Sequence, residues 1–230
     1  MQSFDYTGKD NLDIMSFAKN YNDFLTALVE AHAPDEGTLL DFGAGTGFFA
    51  NRLSGKRRKL LCVEPDDHQA EEIRMRGFEA LASSDGLSDQ TVDFCYSLNV
   101  LEHIEDDREA VREIYRVLKP GCFCVIYVPA MPCLYSSMDE KVHHFRRYTR
   151  KELISKLTSE GFDVLSCKYA DILGVAATLA YKAIGSKSGD ISLRGLVAYD
   201  RFAFPLSKAL DSLTHRVAGK NVLAVARKPI

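Results

Sequence analysis

Apolar positions along the chain switch between two periods. Between residues 10 and 32 they fall at Leu12, Ile14, Met15, Phe17, Ala18, Tyr21, Phe24, Leu25, Leu28 and Val29. That spacing predicts a helix with one break, ended by Pro34 and Gly37. Thr38 to Phe42 is a short apolar run and predicts a strand. Gly43 to Gly47 predicts a turn, and Phe48 to Leu53 a helix. The alternation then repeats. Lys59 to Val63 predicts a strand, and Asp66 with Gln69 has the capping-box pattern of a helix that ends near Gly77. Phe78 to Ala82 predicts a weak strand and Thr91 to Ser97 a stronger one. Arg108 to Leu118 is helical and is stopped by Pro120-Gly121. Cys122 to Val128 is a β-rich run closed by Pro129. Strands alternating with helices mean βαβ units around a mostly parallel sheet.

The pattern changes after Pro129. Met131 to Tyr148 reads as a long loop, and Thr149 to Glu160 as an amphipathic helix with Thr149 as N-cap and Gly161 as its stop. Phe162 to Tyr169 and Val222 to Arg227 read as strands. Ala170 to Asn221 lies between them, is largely helical in pattern, and is far longer than a hairpin connection needs. It reads as an insertion. One domain thus divides into an N-terminal helical segment (1–36), a core (37–169), the insertion (170–221) and a final strand (222–230).

Composition narrows the functional classes. Of 230 residues, 46% are hydrophobic and 27% charged, the balance of a soluble globular domain. The net charge of -3 lacks the basic excess of a general nucleic-acid binder. None of the six cysteines sits in a C-x-x-C pair, and Cys62, Cys95, Cys122 and Cys124 lie in strand-like runs, so reduced core thiols are expected. No zinc-ligand spacing is present, and no metal is expected. The first residues, MQSFDYTGKD, have neither a basic nor an apolar leader region, and no apolar stretch reaches about 18 residues. A cytoplasmic location is expected.

The segment Leu39-Leu40-Asp41-Phe42-Gly43-Ala44-Gly45-Thr46-Gly47 runs from strand through glycines into helix. Glycines allow a tight turn and let a ligand approach the backbone. Dinucleotide sites use G-x-G-x-x-G; here Phe48 takes the third glycine position, and the acid Asp41 suits a cation better than a phosphate. Glu64 closes the second strand about twenty residues on, where an acid can accept both ribose hydroxyls of an adenosine ligand.

LLDFGAGTGFFA followed by LCVEPD resembles the first two motifs of class I methyltransferases that use S-adenosyl-L-methionine. TVDFCYSLNVLEHIEDD resembles their fourth-strand motif, and VLKPGCFCVIYVP the segment through their fifth strand. AKNYNDFLTAL, FRRYTRKEL and ARKP resemble the type 11/12-like, ubiquinone-methyltransferase-like subgroup. The resemblance implies an α/β, Rossmann-like, seven-stranded mixed sheet, with the last strand antiparallel beside Phe162–Tyr169 and helices on both faces. It implies that Asp41, Gly43, Gly45 and Gly47 line the methionine part of the cofactor and that Glu64 holds the ribose. Asp85 would meet the adenine amino group, and Ser97, Leu98 and Asn99 would pass the sulfonium and adenine. The product would be S-adenosyl-L-homocysteine.

A general base helps if the acceptor is a hydroxyl. His103, in Leu101-Glu102-His103-Ile104, and His144 are the catalytic candidates; His103 also suits a structural role. In His143-His144-Phe145-Arg146-Arg147-Tyr148, the candidates for acceptor binding are Arg146, Arg147 and Tyr148, where arginines could hold an anionic group or clamp Asp139 or Glu140. The insertion runs from Ile172 through Tyr181, then Lys182 and Lys187, to Phe202, Phe204, Leu206, Leu210 and Leu213. Such helices fit an acceptor lid, a dimer interface, a peripheral membrane contact or plain packing. The expected acceptor is a small molecule, with sugar, lipid and quinone-like rings all open. A nicotinamide-dependent oxidoreductase and a non-catalytic cofactor-binding protein are the competing readings.

Overall fold

The computed structural model describes residues 14–184 and 192–230. The expected helical position Leu12, the first residues MQSFDYTGKD and Lys187 lie outside the described residues. Seven strands form one sheet: β1 (Glu36–Phe42), β2 (Arg57–Val63), β3 (Glu79–Leu81), β4 (Val92–Leu98), β5 (Leu118–Pro129), β6 (Asp163–Ala170) and β7 (Asn221–Arg227), in the order β3-β2-β1-β4-β5-β7-β6. β1 to β5 are parallel. β7 enters between β5 and β6 and runs antiparallel to both, pairing Val125 with Val225 and Tyr169 with Val222. The predicted mixed sheet and its antiparallel last strand are therefore present.

Nine helices are described: α1 (Lys19–Glu30), α2 (Phe48–Leu53), α3 (Asp67–Met75), α4 (Asp107–Val117), α5 (Ser137–Lys141), α6 (Arg150–Ser159), α7 (Ile172–Ile184), α8 (Leu193–Ala198) and α9 (Phe204–Thr214). Successive strand residues face opposite sides, so the core has two layers. Leu40, Cys95 and Ile126 pack with Ile114 of α4 and Leu153 of α6. Leu39, Phe94, Tyr96 and Val125 pack with Leu25 of α1, Leu53 of α2 and Ile73 of α3. Burying such side chains contributes roughly 1.5–3 kcal/mol each. All six cysteines are free thiols, and Cys62, Cys95 and Cys124 are buried in this core.

Three local expectations need correction. Pro120-Gly121 does not stop α4; the helix ends at Val117 and β5 already begins at Leu118. The pairing with β4 shifts register between Val92 and Phe94, so the dipeptide sits in a bulge where no ladder N–H is required of proline. Met131 to Tyr148 is not a plain loop: Ser136 and Asp139 form a capping box that opens α5. The Asp66–Gln69 box is only half made. Asp66 accepts the Gln69 amide at 2.9 Å, but its own amide goes to Glu64 Oε1 instead.

The insertion is tied down at both ends. Asp200 accepts the amides of Asn20 (2.9 Å) and Tyr21 (2.8 Å), filling the first turn of α1, which carries no acid of its own. Asp211 does the same for α7, accepting Asp171 N at 2.7 Å and Ile172 N at 3.0 Å. Phe204 then packs edge-on against Tyr21 and Phe24. Phe202, Leu206 and Leu213 stay exposed.

Candidate active site

The carboxyl ends of the parallel strands open into a cavity of ≈ 910 Å³. The glycine turn forms one wall. Gly43 and Ala44 donate to Val63 O at 2.9 and 3.0 Å, which fastens the turn to β2. Gly43 has φ 81°, and a Cβ there would stand 2.3 Å from Val100 Cγ1. Gly47, at φ 74°, opens α2 as an N-cap with no side chain in the way. Glycine is thus demanded by both backbone conformation and space.

Glu64 closes β2 and turns back over this loop. Its Oε2 accepts the Gly45 amide at 2.8 Å and its Oε1 the Asp66 amide at 2.9 Å. Burial raises its pKa, and these two amides oppose the rise. Each carboxylate oxygen keeps a second acceptor site, since a carboxylate offers about four. Glu64, Gly43, Gly45, Leu98 and Asn99 all line the cavity. Asn99 sits at φ 56°, donates its amide to Tyr127 O at 2.7 Å, and gives Nδ2 to the Tyr21 hydroxyl at 3.2 Å.

Four expected cofactor residues are off the cavity wall: Gly47, which caps α2, and Asp41, Ser97 and Asp85. Asp41 is buried beneath the turn, on the sheet face of Leu39, and is not a wall of the cavity. Burial pushes its carboxyl up to about 7; the Tyr96 hydroxyl and Ala50 amide oppose this and Glu64 adds to it. Ser97 is buried off the wall, and its hydroxyl has no hydrogen-bond partner among the described residues. Asp85 lies on an exposed turn and accepts Ser83 Oγ at 2.9 Å, while Ser83 and Ser84 take the wall.

The acceptor candidates separate by alternation. Residues 145–148 are extended, with Tyr148 bridged to Ala130, so neighbouring side chains point oppositely. Phe145 and Arg147 line the cavity. Arg146 and Tyr148 face away and both bind Asp107, at 2.9 and 2.7 Å. Tyr148 is a core residue, 1% exposed. Arg147 is buried and donates Nε to Asp139 at 2.8 Å.

His144 also binds Asp139, Nδ1 to Oδ1 at 2.8 Å. Burial would raise the Asp139 pKa, but the hydrogen bonds from His144 and Arg147 outweigh it and hold the carboxyl at about 2. With Asp139 ionised, His144 Nδ1 carries the proton and Nε2 is left as an acceptor. His103 stacks edge-on to His144 with ring centroids 4.5 Å apart. Burial, reinforced by His144, lowers its pKa to about 3, so the ring stays neutral.

Sequence reading missed Glu102, Asp139 and Lys220 as parts of this cavity. Glu102 is fully buried, neither carboxylate oxygen has a hydrogen-bond partner among the described residues, and burial pushes it up to about 8. Ligand atoms of Glu102, His103 and His144 lie within 4.8 Å of one another, a grouping able to hold a cation although no C-x-x-C or zinc spacing announces it. Among the described residues no helix is long and apolar enough to cross a membrane.

A glycine turn after β1, an acid closing β2 and an antiparallel β7 between β5 and β6 define a class I methyltransferase fold. The sequence profile of the methyltransferase domain matches residues 40–126. The match covers β1 to β5, and there the chain is similar to methyltransferase domains of type 11. An uncharacterized methyltransferase of Mycobacterium sp. (strain KMS) is 31% identical over 130 residues, 51% of this chain and 52% of the relative. The chain spans about half the length of the curated relatives it matches. In structure it is similar to a SAM-dependent methyltransferase of Thermotoga maritima, described as a possible histamine N-methyltransferase. The TM-score is 0.64 at 20% identity, over 96% of this chain and 95% of the other. Phosphoethanolamine N-methyltransferase 2 of Haemonchus contortus, solved with S-adenosyl-L-methionine, gives 0.62 at 17%, over 92% and 53%. Both likenesses concern the fold.

Proposed function

We propose that the protein binds S-adenosyl-L-methionine beside Glu64 and transfers its methyl group to a small-molecule acceptor, releasing S-adenosyl-L-homocysteine. The observation that carries this reading is Glu64, buried across the glycine turn with spare acceptor capacity facing the cavity. The residues fit the cofactor: a Cβ at Gly43 would strike Val100, so the turn is built to keep its backbone bare. Glu64 takes the ribose hydroxyls, Gly43 and Gly45 flank the methionine part, Leu98 and Asn99 pass the sulfonium, and Ser83 and Ser84 stand where an adenine amino group would lie. When bound, the cofactor supplies a methyl group already activated on sulfur.

The chain's own residues then orient the acceptor, exclude water and hold a proton. His144 is the general base of this reading. Asp139 fixes its ring, and Nε2 is free to take a proton from an acceptor hydroxyl as the acceptor gains its methyl group. Neutral His103 serves as a wall against the His144 ring. Arg147, locked to Asp139, positions that pair.

Isothermal titration with S-adenosyl-L-homocysteine and with NAD tests the cofactor. Micromolar binding of the first, with none of the second, is expected. The reverse result would establish the oxidoreductase reading. Against that reading stands Phe48, which fills the third glycine position and lines the cavity. Asp41 no longer counts against it, because its carboxyl is not on the wall. The acceptor class is tested by incubating enzyme and cofactor with cell extract and finding metabolites heavier by about 14 Da, one CH₂.

A further inference from the structure

Across the sheet edge the cavity passes from Glu64 on β2 to Gly43 after β1, Asn99 after β4, Pro129 on β5 and finally Lys220 and Asn221 at β7. Strands lie about 4.8 Å apart, so β7 begins roughly 10 Å beyond the β4 end. The proposed cofactor motifs occupy the β2–β1–β4 half. The β5–β7 half is open to a second molecule.

Lys220 is the unusual residue there. Its backbone is fixed on both sides, with the amide donating to Asp171 O at 3.0 Å and the carbonyl accepting Ala130 N at 2.8 Å. Gly219 before it lies flat on Ala170, where a Cβ would come 2.4 Å from the carbonyl oxygen. The Lys220 stem passes over Gly174, whose ideal Cβ position is 2.8 Å from Cδ. The side chain is therefore held against the cavity wall and is half-buried. Yet its ammonium makes no hydrogen bond or ion pair with any described residue.

The neighbouring carboxylates have hydrogen-bond donors of their own. Asp171 Oδ1 accepts the Tyr199 and Ser207 hydroxyls and the Gly174 amide. Asp139 is taken by Arg147 and His144. The other cations on these elements also have partners: Arg146 on Asp107 and Glu105 O, and Lys182 on Cys133 O and Tyr135 O. Burial lowers the Lys220 pKa and Arg147 lowers it further, while Asp171 and Asp139 oppose both. Asp171, bonded only to neutral donors, offsets part of the cost of burying this ammonium but makes no direct contact with it. An anion entering from the cavity would supply the direct partner.

We propose that Lys220 anchors an anionic group of the methyl acceptor, a carboxylate or a phosphate, at the end of the cavity away from Glu64. This rests on the methyl-transfer reading above. Arg147 is neutralised by Asp139, so Lys220 is the residue that sets this wall's preference for an anion over an ammonium group. Met138, Val142, Phe145 and Ile104 supply apolar walls for the rest of the molecule. The acceptor is then an amphipathic acid. The anionic role that the sequence suggests for Arg146 passes to Lys220, because Arg146 faces Asp107.

The test uses the full chain saturated with S-adenosyl-L-homocysteine and titrated with benzoate, phenyl phosphate and benzylamine. The wild type binds one or both anions and not benzylamine, and the preferred anion identifies carboxylate or phosphate. Lys220→Met weakens that anion at least about tenfold, the scale of one lost charge-assisted hydrogen bond, and Lys220→Arg restores most of it. Homocysteine-cofactor affinity stays within about twofold in both variants, which also shows that they fold. Three results overturn the proposal: benzylamine binding as well as the anions, anion affinity unchanged in Lys220→Met, or no anion binding by the wild type. If the wild type fails to bind S-adenosyl-L-homocysteine at all, the methyl-transfer reading fails instead.

Discussion

The carboxylate of Glu64 accepts the amide of Gly45 at 2.8 Å, so the acid at the end of β2 sets the shape of the turn after β1. One residue thereby serves the loop and the proposed ribose site. Glu64→Ala removes the acceptor for two backbone amides and for the ribose hydroxyls. Hydrogen bonds to a charged group are worth about 1.5–3 kcal/mol each. Affinity for S-adenosyl-L-homocysteine should fall at least about tenfold by isothermal titration. Glu64→Gln keeps one acceptor oxygen and should lose less. Equal affinity in wild type and Glu64→Ala would remove Glu64 from the cofactor site.

Gly43→Ala tests the same wall from the other side. The left-handed backbone costs a side-chain-bearing residue roughly 1–2 kcal/mol, and the collision with Val100 adds about 1–3 kcal/mol. Chemical denaturation should show that loss, and the 99–103 segment should lose amide-exchange protection. A variant as stable as wild type would mean that Val100 moves freely.

Arg147 and Asp139 form a buried pair at 2.8 Å. Removing one partner strands the other, which costs about 3–5 kcal/mol. Arg147→Ala should therefore lower the urea midpoint as well as turnover. A mutation acting only on the acceptor would leave that midpoint unchanged. The Asp139 carboxyl, held at about 2 in the folded chain, contributes stability that is present above its ordinary value near 3.8. That contribution is lost as pH falls from about 4 toward 2. Asp139→Asn should flatten this part of the stability profile.

Glu102 has the opposite sign. Its folded value is raised to about 8, so the folded state holds a proton that the unfolded chain has lost above the ordinary 4.5. Stability from this group falls as pH rises from about 4.5 to 8 and then levels. Glu102→Gln carries no such proton. The stability advantage of Glu102→Gln over wild type should grow across that interval in parallel denaturant titrations. A pH-independent difference would show that Glu102 is ionised in the folded protein.

How far the sequence reaches depends on what decides each feature. The strands and the glycine turn are local: period, turn residues and length suffice, and β1, α2 and α6 fall where the pattern places them. Side-chain direction at the sheet edge is a matter of parity. Asp41 and Leu39 share a face, which sends the acid under α2 instead of into the cavity. Arg146 and Arg147 differ by one step along an extended segment whose pairing with Ala130 no local pattern reveals. Pro120 reads as a stop because the β-bulge that tolerates it is a property of two strands together. Glu102 carries a visible signal, an acid beside His103 in the fourth-strand motif. Lys220 carries none, since Ala218-Gly219-Lys220-Asn221 resembles any surface turn until β7 brings it to the edge.

The placement of β7 between β5 and β6 has a consequence for synthesis. During translation β1 to β5 can collapse as a parallel unit, but β6 has no hydrogen-bonding neighbour until residues 221–227 emerge from the ribosome. Lys220 reaches its place only with that strand. A nascent chain would assemble the β2–β1–β4 half of the cavity first and complete the β5–β7 half only at this late step, leaving the β5 edge bare for a chaperone in the interval.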